Sequence, residues 1–154
     1  MNQFIPTLKK CKKDQVLFLA GSNNRDLYIV KSGQFLVCVN KGTQVTPLNI
    51  IGPKQYIGEF SFFDGDPRSA HIICLEDAEV VHIPHQECLR QFPSWLQEIA
   101  RSFTHKIRKS SQLIRERGIR KTKVNSMPAL SIAEQTHYYK IIEEYRPRKP
   151  KRAL

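Results

Sequence analysis

A chain of 154 residues is long enough to bury a real core and short enough that one domain is expected. No apolar run reaches the roughly 20 residues that cross a bilayer, and Lys9, Lys10, Lys12 and Lys13 follow the first apolar residues, which argues against a secretory leader. The net charge of +11 is unevenly placed: residues 1–100 hold ten Lys/Arg and ten Asp/Glu, residues 101–154 fifteen against four.

In chain order, residues 2–10 read as a short helix with Phe4, Ile5 and Leu8 on one side. From Gln15 the pattern turns strand-like. Val16–Ala20 ends at the turn Gly21-Ser22-Asn23-Asn24, Leu27–Val30 at Lys31-Ser32-Gly33, and Phe35–Val39 at Asn40–Thr43. A run from Val45 to Ile51 is interrupted by Pro47, and further strands fall at Ala70–Cys74 and Glu79–Ile83. Short strands at regular spacing with glycine-containing turns predict an antiparallel sandwich or barrel. The four cysteines, Cys11, Cys38, Cys74 and Cys88, show no paired metal spacing. Cys38 and Cys74 lie in apolar runs and read as small buried hydrophobes, as expected of a reduced, cytoplasmic protein.

Between those strands lies Ile57-Gly58-Glu59-Phe60-Ser61-Phe62-Phe63-Asp64-Gly65-Asp66-Pro67-Arg68-Ser69-Ala70. Gly58 permits close backbone approach, and the N–H groups at the following turn, Glu59 to Phe62, are placed to face an anion. Arg68 offers a planar fork of donors matched to phosphate oxygens, and Ser69 adds a hydroxyl. Glu59 only accepts, so it suits a sugar hydroxyl. These parts fit a small phosphorylated ligand that carries a sugar.

The stretch resembles the phosphate-binding cassette of the cyclic nucleotide-binding domain family, in which Gly-Glu and then Pro-Arg-Ser-Ala recur at this spacing. The likeness runs from about Phe4 to Leu113, and Leu27–Gly33 is similar to a second glycine landmark of the family. The resemblance implies a mainly β fold with flanking helices: an eight-stranded jelly-roll β-barrel around the cassette, with a long C-terminal helix as lid and dimer seam. It implies a site of Gly58, Glu59, Phe60, Ser61, Arg68, Ser69 and Ala70. In it the Ser61 amide, Arg68 and Ser69 hold the cyclic phosphate and Glu59 the ribose 2′-hydroxyl. The departure at Phe60-Ser61-Phe62, where a small aliphatic run is commoner, touches local packing. Cyclic AMP is favoured over cyclic GMP on Arg68-Ser69-Ala70, although a hydroxyl at Ser69 also occurs in cyclic GMP-binding relatives. No cofactor is implied.

After Pro84 the period becomes helical. A short helix spans His85–Gln91, and Ser94 is an N-cap candidate for a long one beginning at Trp95 and stopping at Gly118. Leu96, Ile99, Ala100, Phe103, Ile107, Ser110 and Ile114 form a stripe that either packs on the barrel or joins a homodimer through residues 95–117. Ser110 and Ser111 occupy the place of the Thr-Ser pair that reaches the adenine edge in the catabolite activator protein family; the alternative is a pair of solvated serines. Adjacent helical side chains diverge by about 100°, so one could serve its own subunit's ligand and the other the partner's.

Residues 119–154 form a second segment: a basic linker around 120–128, a helix opened by the capping-box pattern Ser131–Glu134 and running to Tyr145, and a basic tail to Arg152. The helix is apolar on more than one side and is expected to dock on its own barrel, a dimer partner or another protein. No helix-turn-helix pattern follows the long helix. The expectation is therefore a non-enzymatic sensor that passes ligand binding to an unidentified protein partner. The alternative is nucleic-acid binding by the basic segment, with Tyr138 and Tyr139 stacking on bases. His71, His82 and His85 lack the spacing of a metal site.

Overall fold

The computed structural model describes residues 5–117 and 127–147. Residues 2–4, the Gly118 helix stop, the linker residues 120–126 and the tail after Pro147 lie outside the described residues. Among the described residues, eight strands form two antiparallel sheets of four. One has the order β1 (Thr7–Cys11), β8 (Ala78–Ile83), β3 (Leu27–Ser32), β6 (Tyr56–Ile57). The other has the order β2 (Val16–Phe18), β7 (His71–Cys74), β4 (Phe35–Lys41), β5 (Gln44–Ile51). This is the jelly-roll arrangement, but the sheets stay separate instead of closing into a barrel. The described residues also form four helices: α1 (Glu59–Asp64), α2 (His85–Leu89), α3 (Ser94–Arg117) and α4 (Ile132–Tyr145).

Strand alternation sorts side chains between layers. Leu17, Phe18, Tyr28, Val30, Phe35, Ile57, Ile72, Cys74 and Val80 form the core between the sheets. Their neighbours Val16, Leu36, Cys38 and Ile73 point the other way and meet α4 through Ile142, with Tyr138, Tyr139 and Ile141 beside it. On the opposite outer face Leu27, Phe62 and Ile83 pack with Phe63, Leu89 and Phe92. The order of layers is therefore short helices, sheet, sheet, α4. Among the described residues, Cys11, Cys38, Cys74 and Cys88 are free thiols. Burial pushes Cys38 up to about 12 and Cys74 up to about 11, so both are inert at neutral pH.

Several expectations need correction. The helix expected over 2–10 is in fact strand β1 from Thr7 onward, paired with β8 from Thr7↔His82 to Cys11↔Ala78. A short helix carries a nucleation cost, whereas this segment finds a complete ladder some seventy residues away in sequence. Pro47 does not end its strand, because β5 is an edge strand and a register irregularity sits opposite at Val37/Cys38. The two-residue β6 has too little pattern to be read locally. Helix α3 starts at Ser94 itself, with the Pro93 carbonyl accepting from the Leu96 and Gln97 N–H groups. Helix α2 ends at Leu89, two residues short of Gln91.

The apolar stripe of α3 divides between two faces. Thr104 is buried and Leu96, Ala100 and Arg108 are half-buried on the side toward the domain. Trp95, Ile99, Phe103 and Ile107, spaced by four, are exposed by 61, 45, 59 and 46%. Helix α4 matches its expected span, with Ser131 Oγ accepting from the Glu134 N–H and the Glu134 carboxylate accepting from the Ser131 N–H. It docks on its own domain.

Candidate functional site

The cassette is set by one glycine and one arginine. Gly58 has φ +89° and introduces α1. A Cβ there would lie 2.9 Å from the Asp26 carbonyl oxygen and overlap the Arg68 guanidinium, so neither its φ nor its surroundings admit a side chain. Arg68 is only 3% exposed. Its Nη1 donates to the Gly58 carbonyl at 2.8 Å, and its Nη2 donates to Asn24 Oδ1 at 2.6 Å and to the Asp26 carbonyl. Its guanidinium lies 4.0 Å from the Phe18 ring centre. Burial pulls its pKa down to about 10, against the supporting charges of Asp26 and Glu59, so it remains a cation at neutral pH.

One nitrogen of this cation is left over. Among the described residues the buried Arg68 Nε has no hydrogen-bond partner. A buried donor of that kind costs about 1–3 kcal/mol unless something accepts from it. Arg68 also walls a cavity of about 180 Å³ with Gly58, Glu59, Phe60, Ser61, Ser69 and Ala70. Phe60, Arg68, Ser69 and Ala70 also line an adjoining space of about 480 Å³ that reaches α3 at Arg108, Ser111 and Gln112. Seven of the expected site residues thus share one cavity, and Ser111 faces its extension. Ser110 is exposed and lines neither space. The Phe62 N–H, expected to face an anion, is taken by the Gly58 carbonyl at 3.2 Å.

The backing of the site was invisible to local pattern. Asp26 accepts from His82 Nε2 at 2.8 Å and from the His85 N–H at 2.9 Å. Burial would raise this carboxyl, but those two hydrogen bonds hold it below the usual carboxylate range. Arg108 reaches from α3 to the cassette. Its Nε and Nη2 donate to Asp64 at 2.5 and 3.2 Å, its Nη1 to the Pro67 carbonyl at 3.3 Å, and its Nη2 lies 3.4 Å from Ser61 Oγ. An i,i+4 reading of α3 marks Arg108 only as a polar residue, so no local signal pointed to this role. Two of the histidines raised as metal candidates serve other partners: His71 Nε2 bonds Asn40 and His82 bonds Asp26. Tyr138 and Tyr139, considered for base stacking, are half-buried against the sheet.

A two-sheet antiparallel domain with a cavity walled by a buried arginine, hydroxyls and one carboxylate defines a class: a receptor domain for a small anionic ligand with sugar hydroxyls. Residues 8–93 match the cyclic nucleotide-binding domain, and the chain belongs to that family. It is 29% identical over 98 residues to the cyclic AMP receptor protein of Thermus thermophilus, covering 61% of this chain and 45% of that one. It is 27% identical over 120 residues to the fumarate and nitrate reduction regulatory protein of Vibrio cholerae, covering 74% and 47%. The cyclic AMP-bound structure of the EAL enzyme Bd1971 superposes with a TM-score of 0.59 at 25% identity, covering 73% of this chain and 31% of that one. The chain spans less than half the length of the two regulators. The likeness is to cyclic nucleotide-binding regulatory domains of the catabolite activator type. Among the described residues no helix is long and apolar enough to cross a membrane.

Proposed function

We propose that this chain is a sensor of a cyclic nucleotide, cyclic AMP ahead of cyclic GMP, that reports occupancy to a protein partner without catalysing a reaction. The observation that carries this reading is Arg68: a buried cation at the cavity wall whose Nε has no acceptor among the described residues. A cyclic phosphate supplies that acceptor, with Ser69 and the Ser61 backbone as further donors. Glu59, half-buried on the same wall, receives the ribose 2′-hydroxyl. The base extends toward α3, where Ser111 meets it from the same chain and Ser110 serves a second copy.

The exposed row Trp95, Ile99, Phe103 and Ile107 supports a second copy: it is a contiguous apolar edge that a parallel helix would cover. Ligand binding then favours the conformation in which α3 closes over the cassette, by no more than the difference in affinity between the two states. Four free thiols, three of them buried, accord with a reducing, cytoplasmic setting.

Calorimetric titration with cyclic AMP and cyclic GMP tests the reading on the wild type and Arg68→Ala. Removing the cation should cost about 2–5 kcal/mol of binding, about thirty-fold to several thousand-fold in affinity, with circular dichroism confirming that the variant is folded. Failure of both nucleotides to bind the wild type, or equal binding by folded Arg68→Ala, would overturn it.

A further inference from the structure

Strand β7 has two audiences. Its inward side chain Ile72 lines the ligand cavity, and its outward side chain Ile73 belongs to the cluster that seats Ile142 of α4. Helix α4 lies outside the residues matched to the family. Between the two readouts stands His71, the first residue of β7 and the third after Arg68. It is 3% exposed.

Both ring nitrogens of His71 are engaged. The Ala20 N–H donates to Nδ1 at 3.0 Å, so Nδ1 is the unprotonated nitrogen and Nε2 donates to Asn40 Oδ1 at 2.8 Å. The residues just after Ala20 hold the cassette: the Gly21 N–H donates to the Arg68 carbonyl at 2.7 Å and the Arg68 N–H to the Ser22 carbonyl at 3.0 Å. His71 therefore positions the segment that positions the backbone of Arg68. Burial, and after it the charge of Arg146 at the C-cap of α4, disfavours protonation of the ring.

We propose that α4 and the nucleotide site are coupled through β7, and that His71 is the positioning residue that joins them. The proposal rests on the nucleotide reading above. Coupling between two sites is reciprocal: nucleotide should tighten α4, and loosening α4 should weaken nucleotide binding.

The test uses the full chain with cyclic AMP as probe, hydrogen exchange of the α4 amides, and affinities of three variants. His71→Asn keeps an acceptor near the place of Nδ1; His71→Gln keeps a donor near the place of Nε2 but withdraws the acceptor from Ala20. Saturating cyclic AMP should slow α4 exchange. His71→Gln and Ile142→Ala should each bind about tenfold more weakly, the equivalent of roughly one hydrogen bond, and His71→Asn should stay within about threefold of wild type. A purely structural role would lower thermal stability in both His71 variants and leave the affinity of the folded protein unchanged. Arg68-dependent binding with unaltered α4 exchange and wild-type affinity in all three variants would overturn the coupling alone. Equal losses in His71→Asn and His71→Gln would overturn the assignment to the Ala20 bond. No binding by the wild type would overturn both readings.

Discussion

Replacing Arg108 by alanine probes what holds α3 against the cassette. The Asp64 side chain is 4% exposed and the Arg108 side chain 20%. With the guanidinium gone, Asp64 keeps the Asp66 N–H, which donates to Oδ1 at 2.9 Å. A buried carboxylate deprived of its cation costs about 3–5 kcal/mol. The Asp66 bond, and relief of repulsion between Arg108 and the Arg68 guanidinium, reduce that here. About 2–3 kcal/mol is expected. Asp64→Asn in the Arg108→Ala background removes the stranded charge, so the double variant should be more stable than the sum of the single losses implies, with a coupling of about 1.5–3 kcal/mol. Urea unfolding followed by circular dichroism supplies each value by linear extrapolation. Additivity of the two substitutions within about 0.5 kcal/mol would refute the account of this pair.

Gly58→Ala should abolish nucleotide binding and destabilise the fold by about 1–3 kcal/mol, because it combines a positive φ with overlap on Arg68; titration and denaturation check the two effects separately. His71 supplies a pH signature. Its pKa is lowered by burial and then by Arg146, so the unfolded chain takes up its proton first. Stability should therefore fall as pH drops below about 6.5, and the part of that fall due to His71 should vanish in His71→Gln. Phe103→Asp should shift a sedimenting dimer to monomer, the ring being 59% exposed within one copy, and should remove any concentration dependence of the melting temperature; a wild type that is already monomeric at high concentration would refute the α3 seam.

The cassette was legible because its parts are contiguous: Gly58, Glu59, Arg68 and Ser69 sit within twelve residues, and the turn that joins them carries its own signals. Helix α4 was legible at its start for the same reason, since the Ser131–Glu134 box is a local device. What it docks on was not legible, because the apolar face that receives it is assembled from four strands, each showing only alternation. Strand β1 was misread because its partner lies at the other end of the domain. Asn24, Asp26 and Arg108 escaped notice as site residues because tertiary packing alone brings them to Arg68 and Asp64. The division of the α3 stripe likewise depends on how the helix is rotated against α1, which periodicity leaves undetermined.

The sheet face under α4 has a practical corollary for anyone who trims the chain to its receptor unit. A fragment ending at Arg117 would keep the cassette and α3 yet uncover Val16, Leu19, Leu36, Cys38, Val45 and Ile73, each now 8% exposed or less. Such an apolar strand surface invites stacking against another of its kind. Oligomers of that fragment would form through this sheet face and say nothing about α3. In this chain it is α4 that keeps that sheet face from water.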